Sequence, residues 1–283
     1  MGLEVATRLS KDLAWDIHIL DLPTSRGKDV AASFSATFHS SNVTDDATLN
    51  QIFKTIYTKT NRLDFVFANA GIAEHANFFE GQDPDDIALP VKGLHALVDI
   101  NLKSVITTSY LALQYMRRSP GSDKSLVMTA SCGGLYPSYY SPIYTATKHA
   151  VVGLARSIAP YFHAKAGIRV NCICPGTVRT NLLTSQEWAN FPDEYFTPVE
   201  KIGDVVMMLI DGKDDGSGAV GKEVEEGSVE ALLAKGGMVG RAVEVSGQKH
   251  YYREMVDYAD EAMRTVMGAT NIEVLENAEE RTP

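Results

Sequence analysis

The sequence predicts an α/β protein in which a parallel β-sheet carries helices on both faces, a doubly wound three-layer α/β/α fold. Apolar runs of strand length alternate with helical patterns, and residues 63–68 are almost continuously apolar, as in a strand buried on both faces. Four predicted strands end in polar or glycine residues, which are Asp21, Asn69-Ala70-Gly71, Ser131 and Pro175-Gly176. Ligands of such sheets bind beyond the carboxyl ends of the strands, so this edge is the predicted site.

Each element is predicted from its local pattern of apolar residues and its flanking turn residues. The predicted strands are residues 17–20, 36–39, 63–68, 125–129, 168–174 and 242–245. The predicted helices are residues 3–11, 28–33, 46–59, 91–117, 144–164 and 251–267. The order of these elements indicates that the first predicted strand follows a helix.

We interpret residues 1–283 as a single domain. A glycine-rich, charged stretch at residues 213–240 indicates a variable surface excursion. Together with the residues that precede it, this stretch forms a predicted substrate lid and excursion at 180–240. Residues 248–283 are expected to form a C-terminal tail.

The charge balance argues against whole classes of partner. The chain has 36 acidic and 26 basic residues, for a net charge of −10, which disfavours nucleic acids and acidic membrane surfaces. No apolar run is long enough to cross a bilayer, and the first residues lack the pattern of a secretory signal. We therefore expect a cytoplasmic protein.

The three cysteines suit a reducing compartment better than a disulfide framework. Cys172 and Cys174 fall on one face of a predicted strand, and no cluster of Cys or His completes a zinc site around them. We interpret them as packing residues and predict no metal.

Tyr144 and Lys148 lie four residues apart in a predicted helix, hence on the same helical face. Free tyrosine titrates near pH ~10, and a neighbouring ammonium lowers that pKa by stabilising the phenolate. Such a pair can exchange a proton with an alcohol or a carbonyl while a hydride moves at the adjacent carbon. The spacing alone also fits exposed helix decoration, but an apolar stripe that includes Val151 and Ala155 indicates that the helix packs on a sheet.

Ser131 ends the preceding strand, and a loop containing Gly133, Gly134 and Pro137 leads from it towards Tyr144. Its hydroxyl could return to the vicinity of the phenol, where it would hydrogen-bond the substrate oxygen. The alternative is a turn serine without a ligand.

Taken together, these motifs resemble those of the short-chain dehydrogenase/reductase superfamily over about residues 3–180. They occur in the order Asn69-Ala70-Gly71, Asn101, Ser131, Tyr144-x-x-x-Lys148 and Pro175-Gly176. The resemblance implies a Rossmann-like sheet and hydride transfer between a nicotinamide cofactor and a secondary alcohol or ketone. The overall similarity to fungal-type members and to hydroxyprostaglandin dehydrogenases suggests specialised (secondary) metabolism.

The resemblance also implies a role for each catalytic residue. Tyr144 would be the acid/base, and Lys148 would lower its pKa and bind the nicotinamide ribose. Ser131 would orient the substrate, and Asn101 would help to hold a water in the proton relay. Asn101 could also satisfy main-chain groups within a helix.

The same resemblance implies that further residues contact the cofactor. These residues are Gly2, Asp21, Asn42, Val43, Asn69, Ala70, Gly71, Pro175, Gly176, Val178 and Thr180. The carboxylate of Asp21 could accept hydrogen bonds from both hydroxyls of the adenosine ribose and would repel a 2′-phosphate. We therefore favour NAD over NADP, although Arg26 lies close by in the sequence.

The amino-terminal pattern departs from that of the superfamily. A buried first strand and a glycine-rich turn of the form Thr-Gly-x-x-x-Gly-x-Gly are expected, and only Gly2 fits this turn, as its last glycine. We therefore expect the first strand to be truncated and the natural product to begin upstream of Met1. This departure leaves open a second hypothesis, a catalytically silent binding or regulatory protein that keeps the fold.

An apolar, aromatic segment after Thr180 is the predicted lid over the substrate. Its residues are Leu182, Leu183, Trp188, Phe191, Tyr195 and Phe196. The composition indicates a bulky hydrophobic alcohol or ketone, although core packing is the alternative for some of these side chains. The resemblance implies a homodimer or homotetramer formed through the helices that contain Asn101 and Tyr144.

Overall fold

The computed structural model describes residues 1–87, 93–220, 234 and 237–271. Its strands are β1 (His18–Asp21), β2 (Thr37–Ser40), β3 (Phe65–Ala68), β4 (Lys124–Thr129), β5 (Ile168–Pro175), β6 (Ala219–Val220), β7 (Ala242–Ser246) and β8 (Lys249–Arg253). Its helices are α1 (Gly2–Leu9), α2 (Gly27–Ser33), α3 (Asp46–Thr60), α4 (Leu94–Val98), α5 (Ser104–Met116), α6 (Pro142–Ala166), α7 (Ser185–Trp188), α8 (Val199–Asp211) and α9 (Glu261–Gly268).

The strands form two sheets rather than the single sheet that the sequence predicts. β1 and β2 pair in parallel with each other, and the other strands form a six-stranded sheet in the order β3-β4-β5-β7-β8-β6. All pairs are parallel except β7 with β8, which form a hairpin at Gly247 (φ +55°). The predicted class, a mostly parallel sheet with flanking helices, is confirmed.

The helices cover both faces of the six-stranded sheet. α5 and α6 pack on one face, where Met116, Ala155 and Ala159 meet the buried residues of β4 and β5. α1 and α8 pack on the opposite face, where Val5 and Val206 belong to one apolar cluster with residues of β5 and β7. β4 and β5 are buried over nearly their whole length, as expected of central strands covered on both faces.

Two predicted helices are wrong in part. The helix predicted at residues 251–267 begins only at Glu261, because Lys249–Arg253 pairs with β7 as strand β8. A hairpin partner supplies main-chain hydrogen bonds that the local pattern does not reveal. The helix predicted at 91–117 is divided by a π-helical turn at Asp99–Lys103, and its first two residues lie outside the described part of the chain.

None of the helices in the described part of the chain is both long and apolar enough to span a bilayer.

Candidate active site

The predicted site residues lie where their strands end. Asp21 is the last residue of β1, Asn69 follows β3, Ser131 follows β4, and Pro175 is the last residue of β5. The strands within each sheet are parallel, so their carboxyl ends share an edge. The structure therefore places Asn69, Ser131 and Pro175 at one edge of the six-stranded sheet.

Asn101 is fully buried in the π-helical turn between α4 and α5. Its Nδ2 donates to the carbonyl of Ile72 at 2.9 Å, and its Oδ1 accepts from the Ile72 amide at 2.8 Å. The widened turn and this pair of hydrogen bonds hold the loop after β3 against the helix. The alternative considered for Asn101, that it satisfies main-chain groups, is what its side chain does.

Lys148 is buried on α6, and its Nζ donates to the carbonyl of Thr129 at 2.9 Å. Burial lowers the pKa of this ammonium to about 8, with a smaller opposing effect from Cys174. Gly71 lies beside both Asn101 and Lys148, because a Cβ added to it would be 3.3 Å from Asn101 Oδ1 and 3.6 Å from Lys148 Nζ. Asn101, Gly71 and Lys148 thus form one contiguous group.

Tyr144 is on the same face of α6, and Lys148 Nζ lies 5.5 Å from the centroid of its ring. Burial raises the pKa of the phenol, while the Ser131 hydroxyl acts in the opposite direction by hydrogen bonding. The net direction is upward, so the lowered pKa predicted from the Tyr144 and Lys148 spacing is not observed. Desolvation outweighs the hydrogen bond with Ser131.

The loop between Ser131 and Tyr144 depends on two glycines. A Cβ at Gly133 would lie 3.4 Å from the Tyr144 ring and 3.5 Å from Ser131 Oγ, which places both side chains around one point. A Cβ at Gly134 would lie 2.6 Å from the carbonyl oxygen of Lys148, closer than any real contact. Gly134 therefore lets the loop press directly on α6 beside Lys148.

Glu74 is a residue of this site that sequence reasoning missed. Its Oε2 accepts a hydrogen bond from the main-chain amide of Tyr144 at 2.7 Å, whereas Ser141, at the N-cap of α6, makes no side-chain cap. Its other oxygen, Oε1, is buried without a hydrogen-bond partner among the described residues. A lone acidic residue three positions after Gly71 carries no signal that could have predicted this long-range cap.

The residues predicted on the adenosine side lie on the other sheet. Asp21 is exposed, and its Oδ1 accepts from the Leu22 amide at 2.7 Å. Asn42 directs its side-chain oxygen to its own turn, where it accepts from the Thr44 amide and hydroxyl.

A cleft of about 1190 Å³ separates β1 from β3, and we call it the interstrand cleft. Five of the predicted cofactor residues line it, namely Gly2, Asp21, Val43, Asn69 and Ala70. Asn69 accepts a hydrogen bond from the Thr129 hydroxyl at 3.1 Å, and a Cβ at Gly2 would lie 3.2 Å from Asn69 Nδ2. The cleft therefore extends from Asp21 to Asn69, which follows β3 at the sheet edge that carries the catalytic candidates.

The segment after β5 holds the remaining predicted contacts. Gly176 donates its amide to Val245 at 2.8 Å, and Val178 is buried in the apolar cluster under α8. Thr180 accepts from the indole of Trp188 at 3.0 Å through its carbonyl. Trp188 is itself buried against Phe191 and Phe196, so it is a packing residue inside the predicted lid.

The buried cysteines are free thiols. Cys172 and Cys174 are both fully buried in β5, as expected of packing residues. The described residues that could together offer ligands to a cation are Asp214, Asp215 and His250, and neither cysteine belongs to this group. Asp214 already accepts hydrogen bonds from His250 and from Tyr252.

Comparison with known proteins identifies the family. The sequence model described as Enoyl-(Acyl carrier protein) reductase matches residues 1–224. The chain therefore belongs to the short-chain dehydrogenase/reductase superfamily, and it is an oxidoreductase of that type, as the motif order predicts.

Two known proteins are similar to this chain in sequence. "Short-chain dehydrogenase/reductase prx7" of Penicillium rubens is 45% identical over 280 residues, which cover 96% of this chain and 97% of that protein. The rat "15-hydroxyprostaglandin dehydrogenase [NAD(+)]" is 31% identical over 163 residues, which cover 57% of this chain and 55% of that protein.

Solved structures share the fold. The structure described as "ElxO with NADP Bound" superposes with a TM-score of 0.62 at 24% identity, covering 76% of this chain and 88% of that one. A short-chain type dehydrogenase/reductase from Mycobacterium ulcerans superposes with a TM-score of 0.66 at 18% identity, covering 87% and 84% of the two chains. At these identities, the likeness concerns the fold.

Proposed function

We propose that this protein is an NAD-dependent alcohol dehydrogenase or ketone reductase that acts on a secondary alcohol or ketone. The observation that carries the proposal is the group formed by Ser131, Tyr144, Lys148 and Asn101 at one sheet edge. Each of these residue types has a defined task in proton transfer beside a hydride acceptor.

The residues present fit a nicotinamide cofactor. Gly71 has no side chain where one would obstruct Asn101 and Lys148. The two residues before it, Asn69 and Ala70, line the interstrand cleft together with Asp21. In this proposal Lys148 and Asn69 hold the nicotinamide ribose side together with Pro175, Gly176, Val178 and Thr180. Gly2, Asp21, Asn42, Val43, Ala70 and Gly71 hold the adenosine and phosphate side. When bound, the nicotinamide accepts or supplies the hydride.

The chain's own residues would move the proton. In the reducing direction the Tyr144 phenol donates its proton to the substrate oxygen, and in the oxidising direction it takes the proton back. Because burial raises the pKa of this phenol, its protonated form is favoured at neutral pH, which suits it as an acid. Ser131, across Gly133 from the ring, hydrogen-bonds the same substrate oxygen.

Lys148 and Asn101 would support this transfer. A pKa of about 8 leaves Lys148 mostly cationic at pH 7 yet able to exchange its proton. Because Ile72 occupies the side chain of Asn101, holding a relay water would fall to the main chain of the π-helical turn.

NAD is favoured over NADP because of Asp21. Its exposed carboxylate at the end of β1 would accept hydrogen bonds from ribose hydroxyls and repel a 2′-phosphate. The rat relative is named for its use of NAD(+), which supports the same preference. The lid aromatic residues Phe191 and Tyr195 are exposed, which favours a bulky hydrophobic substrate. We place such a substrate in specialised metabolism, in a cytoplasmic homodimer or homotetramer.

The second candidate is a catalytically silent protein that keeps the fold for binding or regulation. The division of the sheet at the interstrand cleft favours it, because this division lies beside the residues proposed to hold the phosphates. The catalytic group around Lys148 argues against it.

Cofactor binding followed by turnover separates the two candidates. The chain contains two tryptophans, and Trp188 lies against Thr180 on the nicotinamide side, so energy transfer from protein to NADH or NADPH reports binding. The enzyme is supported if the protein binds NADH and turns over secondary alcohols. In Tyr144→Phe, turnover should then fall by about 10²–10⁴-fold while cofactor affinity is retained. The enzyme proposal would be rejected by cofactor binding with no turnover across a broad panel of alcohols and ketones, or by turnover that is unchanged in Tyr144→Phe.

A further inference from the structure

Residues 177–197 form a loop whose two ends meet, and we call it the lid loop. The amide of Thr197 donates to the carbonyl of Thr177 at 2.7 Å, which closes the base of the loop. Within the loop, the buried Trp188 donates from its indole to the carbonyl of Thr180 at 3.0 Å. Loops that are closed at the base and packed by their own side chains are compact units, so the lid loop would shift as a whole.

α7 lies in the lid loop and carries an ion pair to a distant part of the chain. Oε1 of Glu187 is 3.3 Å from Nδ1 of His75, which lies in the segment after β3. An Nδ1–H donates to a carboxylate both in the imidazolium form and in one neutral tautomer. Oε2 of Glu187 is used inside the loop, where it accepts from the amide and the hydroxyl of Thr184. The two carboxylate oxygens therefore have different partners, one within the lid loop and one outside it.

This ion pair is exposed and hence weak. Glu187 is ionised at neutral pH, because hydrogen bonds from the amide and then the hydroxyl of Thr184 lower its pKa, with a smaller contribution from His75. The side chains of His75 and Glu187 are 57% and 39% exposed. Ion pairs this exposed shift an equilibrium by about two- to fivefold. The pair would therefore bias the position of the lid loop rather than fix it.

The residue next to His75 contacts α6, the helix that carries Tyr144. Oε2 of Glu74 accepts from the amide of Tyr144 at 2.7 Å. This amide lies in the first turn of α6, where main-chain amides have no partner within the helix, and Ser141 supplies no side-chain cap. A carboxylate at this end also interacts favourably with the helix dipole. Glu74 thus holds the main chain of Tyr144 from outside the helix.

The segment at residues 71–75 joins these contacts and belongs to no helix or strand. One end of it is fixed, because the main chain of Ile72 is bonded twice to the side chain of Asn101. The other end carries Glu74 and His75, whose Cα atoms are about 3.8 Å apart across one peptide bond. A shift of the lid loop that displaces His75 must therefore also displace Glu74.

We propose that His75 and Glu187 are positioning residues for Tyr144, which couple the lid loop to α6 through Glu74. While the lid loop is closed, the ion pair holds the segment where Glu74 caps the Tyr144 amide. When the lid loop lifts, Glu74 loses this support and the first turn of α6 loosens. Tyr144 is then fully positioned only while substrate is enclosed. The inference rests on the proposed function, because it takes Tyr144 as the acid/base.

The first measurement is hydrogen exchange at the Tyr144 amide, which needs neither substrate nor turnover. Glu187→Gln keeps one oxygen for the Thr184 amide, as glutamine does in a capping box, so its amino group would face His75 in place of an acceptor. His75→Ala removes the donor of the pair. His75→Lys keeps a cation and serves as the conservative replacement.

A matched control changes the same loop without touching this pair. Asp193→Asn removes a carboxylate whose ion-pair partner, Arg179, lies in the lid loop itself. Exchange at the amide of Ala155, in the middle of α6, reports any general change in stability. The control therefore separates loss of the connection from loss of a charge in the loop.

Glu187→Gln and His75→Ala, singly and together, should each speed exchange at the Tyr144 amide by about two- to fivefold. His75→Lys and Asp193→Asn should leave it within about 1.5-fold, and exchange at Ala155 should not change in any variant. Unchanged exchange at Tyr144 in both single variants, or an equal increase in Asp193→Asn, would overturn the proposal.

Glu74→Ala tests whether the effect passes through Glu74. In that background the cap is already lost, so adding Glu187→Gln should change exchange at the Tyr144 amide by less than about 1.5-fold. An effect of Glu187→Gln as large as in the wild type would show that Glu74 does not carry the coupling, and the proposal would fail.

Kinetics provide the second measurement. Glu187→Gln should lower kcat about two- to fivefold while the KM for cofactor changes less than twofold, and it should cause no further fall in the Glu74→Ala background. An active enzyme whose kcat does not respond to Glu187→Gln would also overturn the proposal. A wild type without turnover would instead contradict the proposed function, and the exchange measurements would still decide the coupling.

Discussion

Asn101 and Ile72 are joined by two hydrogen bonds between one buried side chain and one main-chain unit, at 2.9 and 2.8 Å. A carboxamide carries both donors and an acceptor, so one side chain can donate to the carbonyl and accept from the amide of the same residue. This pair fixes the loop after β3, including Gly71, relative to Lys148 on α6. The geometry of the catalytic group therefore depends on a residue that need not touch the substrate.

Replacing Asn101 should affect both stability and turnover. Asn101→Ala leaves the Ile72 amide and carbonyl without partners, at a cost of roughly 1–3 kcal/mol in the free energy of unfolding. Displacement of the loop should lower turnover by about tenfold or more, because small shifts of positioned groups are costly. Urea denaturation and steady-state kinetics measure the two effects.

Asn171 is a matched control for that variant. It is also fully buried, donates to the Met238 carbonyl at 2.7 Å and accepts from the Arg241 amide at 2.9 Å. Asn171→Ala should cost a similar free energy of unfolding yet leave turnover within about threefold, since β5 holds it away from Tyr144. If both variants lost turnover equally, the effect of Asn101→Ala would be one of general stability.

The two loop glycines should separate folding from activity. Gly134→Ala places a methyl group 2.6 Å from the Lys148 carbonyl, so the main chain must move, at roughly 1–3 kcal/mol. Gly133→Ala makes only contacts of 3.4 Å or more and should keep its stability, but its methyl group would stand between Ser131 and Tyr144 and reduce turnover.

Gly153, on the same helix as Tyr144, controls for the added methyl group, because nothing lies within 4 Å of its Cβ position. Gly153→Ala should raise stability by up to about 1 kcal/mol through helix propensity, with turnover unchanged. In thermal unfolding, Gly134→Ala should have the lowest Tm, Gly133→Ala an intermediate one and Gly153→Ala the highest. Any other order would contradict the contact geometry.

The sequence predicts the alternating elements and the shared strand edge because both follow from local apolar patterns and turn residues. Tyr144 and Lys148 were predictable as a pair because helix spacing alone puts them on one face. The division of the sheet at the interstrand cleft and the hairpin partner of β8 depend on which strands meet in space. The predicted helix at 251–267 therefore includes residues 251–253, which the structure shows as part of β8.

The cap from Glu74 to Tyr144 and the upward pKa of the phenol were also beyond the sequence. The first joins residues 70 positions apart. The second depends on how much of the phenol is desolvated, which the spacing of two residues does not report. Both are consequences of packing rather than of residue type.

The buried ammonium of Lys148 should give stability a distinct pH dependence. Its pKa falls from 10.5 to about 8 on folding, so between those values the unfolded chain holds a proton that the folded chain does not. The free energy of unfolding therefore rises with pH through this window, and below pH 8 the folded protein carries the full cost of burying the charge.

Lys148→Met removes this titration. The stability of the wild type relative to Lys148→Met should increase by roughly 2–3 kcal/mol between about pH 7 and pH 10. Urea unfolding of both proteins at several pH values measures it, and Lys103→Met controls for loss of an exposed ammonium. A difference that stays constant with pH would show that Lys148 titrates normally.

Glu74 should act as a positioning residue for Tyr144. Glu74→Ala removes the acceptor of the Tyr144 amide, and we expect kcat to fall about tenfold while the KM for cofactor changes less than threefold. Glu74→Gln keeps a side-chain oxygen and should restore kcat to within about threefold of the wild type. Failure of the glutamine variant to rescue kcat would mean that the charge, rather than the hydrogen bond, matters.

Asp21 should determine the choice between cofactors. Asp21→Ala removes an exposed carboxylate placed to accept from ribose hydroxyls, so NADH affinity should fall about 10–100-fold, as expected for charge-assisted hydrogen bonds. NADPH affinity should not fall, because the same change removes repulsion of the 2′-phosphate. Asp12→Ala is the matched control, since Asp12 is another exposed carboxylate that lines the same cleft. Titration by energy transfer gives both affinities, and an unchanged NADH/NADPH ratio in Asp21→Ala would place the adenosine ribose elsewhere.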